Sequence, residues 1–144
     1  MRIRSVTLCS CALSLLVLAG CTGGGVPAGP DPVPVEGTVT LDGEPLAGAS
    51  VMFGGEAFGE TDANGRYVLS KGDKKGVPPG GYSVVIEKWL TPDGAPYRSA
   101  EGISPMDAGA TQELPPRYSN PELTELKATV PDGGGKIDFE LKSD

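Results

Sequence analysis

The sequence contains no histidine, and its three cysteines all lie within the first 21 residues. The lack of histidine excludes Ser-His-Asp and Cys-His catalysis and removes the commonest ligand of zinc sites. An enzyme would have to use carboxylates or a serine–lysine pair, and no spacing of these residues indicates either arrangement. The sequence therefore predicts no catalytic residues, no metal site and no cofactor.

The sequence also lacks an apolar run long enough to cross a membrane, which takes about 20 residues. Its longest apolar stretch is residues 6–18, which follows a short basic start that contains Arg2 and Arg4. This layout is typical of a secretory signal peptide. We expect residues 1–20 to be cleaved off as a leader, together with Cys9 and Cys11.

The segment Leu18-Ala19-Gly20-Cys21 directly follows this apolar run. It resembles the lipobox of bacterial lipoproteins, in which the cysteine thiolate forms a thioether with a diacylglyceryl group and becomes the N-terminus. The resemblance predicts that Cys21 is lipidated and anchors the protein to a bacterial membrane. The alternative is an ordinary signal peptide that is cut nearby, with Cys21 incidental.

Acidic residues outnumber basic ones, and cleavage before Cys21 would leave 10 of the 12 basic residues against 19 acidic ones. This charge argues against nucleic acid as a partner, because binding phosphates requires clusters of lysine and arginine. It also means that membrane association depends on the acyl chains rather than on charge. Thr22 after the cysteine resembles an outer-membrane rather than an inner-membrane sorting signal, which predicts a domain outside the cytoplasm.

The sequence predicts a flexible tether followed by one β-domain. Residues 21–33 are rich in glycine and proline, whereas residues 34–144 contain segments in which apolar and polar residues alternate. Such alternation is typical of strands with one buried face, and no helical periodicity of useful length appears. We therefore expect an all-β, antiparallel β-sandwich. The predicted strands are residues 35–41, 49–53, 65–70, 81–89, 126–130 and 136–141.

Five segments in order resemble a known family: VEGTVTLDGEPLAGASVMF, TDANGRYVLS, PPGGYSVVIEK, LPPRYSNPELTELKATV and GGKIDFEL. They are similar to small bacterial lipoproteins, abundant in planctomycetes, with a carboxypeptidase-regulatory-like domain. The resemblance covers residues 35–141. It implies a transthyretin-like (prealbumin-like) sandwich of seven antiparallel strands, which usually serves as a non-catalytic module.

The candidate partner-binding residues are Trp89, Tyr97 and Arg98. Trp89 is the only tryptophan, and with Tyr97 it is a candidate platform for a sugar ring or a peptide; core packing of Trp89 is the alternative. Residues 90–125 lack a packing pattern, and such long segments in compact domains are usually functional or mobile. Within them, Tyr118 is expected to pin the segment onto the sandwich.

The stretch Asp62-Ala63-Asn64-Gly65 resembles the start of a calcium loop, but the further oxygen ligands that calcium requires are missing. We interpret it as a hairpin turn in which Asn64 and Gly65 take positive φ angles. Taken together, the sequence predicts a membrane-anchored, non-enzymatic envelope lipoprotein that binds protein or polysaccharide through its loops. The alternatives are a purely structural envelope component, a calcium-dependent module and an enzyme.

Overall fold

The computed structural model describes residues 29–98 and 102–144, which form an all-β structure. Within this part of the chain there are thirteen strands and one short helix. The elements, in chain order, are β1 (Val35–Leu41), β2 (Glu44–Pro45), β3 (Ser50–Phe53), β4 (Ala57–Glu60), β5 (Arg66–Val68), β6 (Ser70–Lys71), β7 (Lys74–Lys75), β8 (Gly80–Glu87), β9 (Trp89–Leu90), β10 (Thr111–Gln112), α1 (Pro116–Ser119), β11 (Lys127–Val130), β12 (Gly135–Lys136) and β13 (Phe139–Leu141).

The strands form two main sheets in a sandwich-like arrangement, as the alternation predicted. In the first sheet, β1 lies in the centre with β5 and β2 on one side and β12 and β13 on the other. The second sheet has the order β11-β8-β3-β4-β6-β7 and is antiparallel throughout. A separate two-stranded ribbon, β9–β10, extends beyond the end of β8.

The inward faces of both sheets form one hydrophobic core. Buried residues recur at every second position of β1, β3 and β13, while Glu140 between two buried residues is exposed. An aromatic cluster lies at the centre, where the Phe139 ring is 6.0 Å from Phe53 and 6.3 Å from Tyr67. Such aromatic pairs add to the burial of apolar surface that stabilises the sandwich.

The pairing of β1 with β12 and β13 is parallel, which differs from the purely antiparallel expectation. Val39 lies opposite Phe139, about one hundred positions later in the chain. The reason is the path of the chain: β11 runs antiparallel to β8, and the turn at residues 131–134 then carries the chain into the first sheet. The last strand consequently runs in the same direction as β1.

Strand β4 was not among the predicted strands. Its sequence, Ala57-Phe58-Gly59-Glu60, contains one buried side chain and a glycine. The glycine is required by packing, because a Cβ atom at Gly59 would lie 2.8 Å from the carbonyl oxygen of Val68. Short strands of this kind give too little alternation to be recognised.

The predicted strand 65–70 is divided in the structure. The chain passes from the first sheet to the second at Leu69, which separates β5 from β6 and is fully buried. The Leu69 amide donates to Val35 of β1, and its carbonyl oxygen accepts from Gly76 at the end of the β6–β7 hairpin. Leu69 thus links the two sheets although it lies in no strand, which a pattern confined to one strand does not reveal.

Residues 114–126 join the two sheets along one side of the sandwich. Leu114 and Tyr118 are buried in the core, which confirms that Tyr118 pins this segment. The Tyr118 hydroxyl accepts a hydrogen bond from the Lys142 amide after β13, while the Thr124 hydroxyl donates to the carbonyl oxygen of Val84 in β8. The segment is therefore a structural link rather than a free loop.

The sandwich has two ends, which we name by their relation to the N-terminal residues. At the proximal end, Val33 and Val77 form two backbone hydrogen bonds with each other, next to the β6–β7 turn and the start of β8. This pairing lies one residue before the expected domain start. At the distal end lie the β1–β2 hairpin, the turn at 61–65 and the β9–β10 ribbon. Strand β8 runs from the proximal to the distal end.

Candidate functional site

The distal part of the second sheet carries two carboxylates on its outer face. In the register of this sheet, Ser50 of β3 lies opposite Glu60 of β4 on one side and opposite Glu87 of β8 on the other. Directly paired residues project from the same face, and neighbouring strands are about 4.8 Å apart. Glu60 and Glu87 therefore lie on strands about 10 Å apart, with the small Ser50 side chain between them.

A second, apolar row lies beside this polar row on the same face. Met52 is paired with Phe58 on one side and with Val85 on the other. Phe58 is 49% exposed, whereas Val85 is buried without belonging to the main core. The apolar row thus has an exposed aromatic ring at one end, in a position that a partner can reach.

Trp89 stands at the edge of this face and is not packed in the core. Its indole N–H donates to the Glu87 carboxylate at 3.1 Å, and the residue is half-buried. The Gln112 side-chain oxygen fixes the base of the ribbon, because it accepts from the amides of Lys88 at 2.9 Å and Leu114 at 3.2 Å. Gln112 consequently holds β9, and with it Trp89, in place.

Tyr97 and Arg98 reach the same region from the next segment of chain. The Tyr97 amide donates to the Trp89 carbonyl oxygen at 2.8 Å, and the Tyr97 hydroxyl donates to the carbonyl oxygen of Ile103. The Arg98 guanidinium lies 3.5 Å from the Glu60 carboxylate and is 74% exposed. Trp89 therefore contacts Glu87 at one end of the polar row, and Arg98 contacts Glu60 at the other end.

We call the combined surface the distal face. It includes a tryptophan, a tyrosine and an arginine, the residue types that dominate binding energies at interfaces. An aromatic ring beside carboxylates suits a sugar, whose hydroxyl groups donate hydrogen bonds, and it equally suits a peptide. The members of the distal face are Ser50, Met52, Phe58, Glu60, Glu87, Trp89, Tyr97 and Arg98.

The hairpin that places Tyr97 beside Trp89 was not predicted. The chain turns at Thr91-Pro92-Asp93-Gly94, where the Gly94 amide donates to Thr91 and the Thr91 amide donates to Ala95. Proline followed by aspartate and glycine is a frequent turn sequence, so the signal was present in the sequence. The sequence does not show that β9 also pairs with residues 111–112, more than twenty positions further on.

The Asp62–Gly65 stretch forms a turn, and its aspartate is already engaged. One Asp62 carboxylate oxygen accepts from the amides of Asn64 at 2.8 Å and Arg66 at 3.0 Å. The prediction of a positive φ at Asn64 is wrong: Gly65 has a φ of 72°, whereas Asp42 is the only non-glycine residue with a positive φ in the described ranges. Asp62 rather than Asn64 therefore stabilises this turn.

A polar groove of about 380 Å³ lies on the outer face of the first sheet, with Glu36, Asp62, Arg66 and Lys136 among its lining residues. Two of these charges are engaged, since Asp62 caps the turn and Lys136 lies 3.2 Å from Asp138. Across residues 29–98 and 102–144, no three acidic side chains are grouped closely enough to hold a metal ion. The groove shows no arrangement of a nucleophile with a base.

Cys21 and the predicted leader lie outside the described residues. In the part of the chain that the structure describes, no helix has the length and apolar character needed to span a membrane. In comparisons with known proteins, no family model matches the sequence, and no curated protein matches it.

Proposed function

We propose that this protein is a non-enzymatic lipoprotein of the bacterial envelope, anchored through lipid on Cys21, whose distal face binds a protein or polysaccharide partner. The observation that carries the proposal is the position of the distal face. The described chain joins the domain at Val33, at the proximal end, whereas Trp89 and Arg98 lie at the other end of β8. An anchor at Cys21 then holds the proximal end to the membrane and presents the distal face away from it.

The transthyretin-like fold belongs to this proposal. Seven strands have three or more residues, namely β1, β3, β4, β5, β8, β11 and β13. Their division between two sheets is consistent with a seven-stranded sandwich, and the remaining strands are two-residue extensions. Domains of this kind present functional residues on a rigid scaffold, and the binding role is supported by the tryptophan, tyrosine and arginine of the distal face.

The anchor is tested by Cys21→Ser in cells that are supplied with radiolabelled fatty acid. We expect the variant to lose the label and to leave the membrane fraction, because no other cysteine remains after the leader. A variant that still carries the label would contradict lipidation at Cys21.

The binding role is tested by chemical crosslinking in intact cells, followed by identification of the crosslinked partners. We expect Trp89→Ala combined with Arg98→Ala to abolish the main crosslinked species. The matched control is Val68→Ala, which changes a residue that is 57% exposed on the first sheet. Crosslinks that persist in the double variant would favour a purely structural component instead.

A further inference from the structure

The hydrogen-bond donors of the two aromatic residues of the distal face that carry one are already used within the protein. The indole N–H of Trp89 donates to Oε2 of Glu87, and the hydroxyl of Tyr97 donates to the carbonyl oxygen of Ile103. Trp89 and Tyr97 are nevertheless only half-buried. The two rings therefore offer a ligand their apolar faces, on which another apolar surface can stack.

The polar groups that remain free on the distal face are acceptors, with donors at one end. The indole of Trp89 engages Oε2 of Glu87, and the Arg98 guanidinium lies nearest to Oε1 of Glu60. In the described ranges, the other oxygen of each carboxylate and the hydroxyl of Ser50 form no hydrogen bond. Arg98 is 74% exposed and carries several further N–H groups. A fitting ligand thus donates to the carboxylates and accepts from the guanidinium.

The backbone beneath this surface is occupied by the pairing of the sheet. Strand β3 pairs with β4 on one side and with β8 on the other, so the N–H and C=O groups of Ser50 and Met52 are used in these ladders. An extended peptide that binds a β-domain typically adds to a free strand edge, where such groups are open. The middle of this sheet offers side chains alone, which disfavours an extended peptide as the ligand.

The charge of the distal face disfavours strongly charged ligands of either sign. Two carboxylates and one guanidinium leave it with a single formal negative charge. The carboxylates repel an anionic polymer, and the guanidinium of Arg98 repels a cationic one at one end of the polar row. A neutral ligand with hydroxyl groups meets neither repulsion, and each hydroxyl can both donate and accept a hydrogen bond.

We propose that the distal face binds a neutral glycan chain of β-linked sugars whose hydroxyl groups are equatorial. This proposal rests on the proposed binding role of the distal face and names its ligand. In such a sugar the axial hydrogens cover both faces of the ring, and the hydroxyl groups lie around its rim. One sugar ring stacks on Trp89. Because Glu87 accepts from the indole N–H, its carboxylate lies at the edge of the indole, where the rim hydroxyl groups of a stacked sugar reach it.

Phe58 extends the same surface for a longer chain. It is 49% exposed and lies two strands away from β8 on the same face, beside Glu60 in the sequence of β4. An exposed ring next to a carboxylate thus occurs twice on the distal face, once with Trp89 and once with Phe58. A glycan of several sugars can use both places, whereas a single sugar can use one.

The test is an NMR titration of the isotope-labelled chain that begins at Cys21 with cellohexaose, a neutral β-linked glucan. We expect saturable shifts at the amides of β3, β8 and β9. Trp89→Ala should weaken binding about tenfold or more, and Trp89→Phe should weaken it less because an aromatic ring remains. The matched control is Val68→Ala on the first sheet, which should bind like wild type. Circular dichroism should show that all variants are folded.

Two further probes distinguish a neutral glycan from charged ligands: cellohexaose oxidised to carry a carboxylate on each sugar, and tetralysine. We expect both to bind more weakly than cellohexaose. Binding of cellohexaose should persist in about 0.5 M salt, whereas attraction between charges is screened there. Glu87→Gln should weaken binding less than Glu87→Ala, because the amide oxygen still accepts a hydrogen bond.

The absence of saturable shifts with cellohexaose would overturn the proposal, as would binding that Trp89→Ala leaves unchanged. Tighter binding of tetralysine, lost in salt, would assign the distal face to a basic protein segment instead. In either case the proposed function stands if the crosslinked species in cells disappears in the Trp89→Ala and Arg98→Ala double variant. Crosslinks that persist in that variant contradict the proposed function itself, so the two failures are distinguishable.

Discussion

Replacing Tyr67 with phenylalanine should make the protein less sensitive to alkaline pH. Tyr67 is 1% exposed, and its hydroxyl donates to the carbonyl oxygen of Ile137 at 2.6 Å. Burial, with a smaller contribution from the negative charge of Asp138, raises the pKa of the Tyr67 hydroxyl well above its ordinary value of 10.0. The folded protein therefore keeps this proton at a pH where the unfolded chain releases it.

The sign and size of the effect follow from this difference in pKa. Below pH 10 the hydroxyl is protonated in both states, so the free energy of unfolding does not depend on its titration. Above pH 10 the unfolded state is stabilised by losing the proton, and the free energy of unfolding falls as the pH rises towards the raised pKa of the folded state. For one such group the loss is about 1.4 kcal/mol at pH 11, a measurable part of a typical stability of about 5–15 kcal/mol.

The assay is urea unfolding of wild type and Tyr67→Phe between pH 8 and pH 11, followed by circular dichroism. At pH 8 the variant should be less stable by about 1 kcal/mol, because the Ile137 carbonyl loses its donor. This difference should vanish or reverse by pH 11. Every other ionisable group is present in both proteins, so its effect cancels in the comparison. A constant difference across this pH range would refute the assignment of a raised pKa to Tyr67.

Further predictions concern the core, the turn and the ribbon. Phe139→Ala should lower the free energy of unfolding by about 3–5 kcal/mol, whereas Glu140→Ala should change it by less than about 0.5 kcal/mol; similar values in urea unfolding would contradict the register of β13. Asp62→Ala should lower the free energy of unfolding by about 1–2 kcal/mol, because two hydrogen bonds are lost. Asn64→Ala should lower it by less than about 0.5 kcal/mol, and a larger loss for Asn64→Ala than for Asp62→Ala would contradict the turn geometry. Millimolar calcium should leave the melting temperature unchanged; a rise that Asp62→Ala abolishes would indicate a calcium site. Gln112→Ala should lower the free energy of unfolding by about 2 kcal/mol and speed hydrogen exchange at the amides of the β9–β10 ribbon. Unchanged exchange would contradict the supporting role of Gln112.

The core strands could be predicted because their alternation has a direct physical cause. In β1, Val35 and Val39 face the other sheet while Glu36 faces solvent, so the strand pattern is visible within seven residues. The same holds for β3 and β13. Burial on one face imposes this period on any strand of sufficient length.

The distal face could be predicted only in part. Trp89, Tyr97 and Arg98 were candidates because of their residue types and their place in an irregular segment. Their relation to Glu60 and Glu87 depends on the pairing of β3 with β4, a strand that was not predicted, and of β3 with β8, which lies further along the chain. Register between distant strands is set by tertiary packing, and no local pattern specifies it.

The parallel pairing of β1 with β13 has a consequence for the order in which the protein folds. The first sheet has its central strand near the start of the domain and an outer strand about one hundred residues later, with Val39 opposite Phe139. Contacts over such separations slow folding, since a long loop must close before they form. Phe139 also supplies part of the aromatic cluster, so the core is incomplete until residue 139 has joined it. A chain that crosses a membrane from its N-terminus would therefore remain unfolded through nearly the whole passage and would fold on the far side.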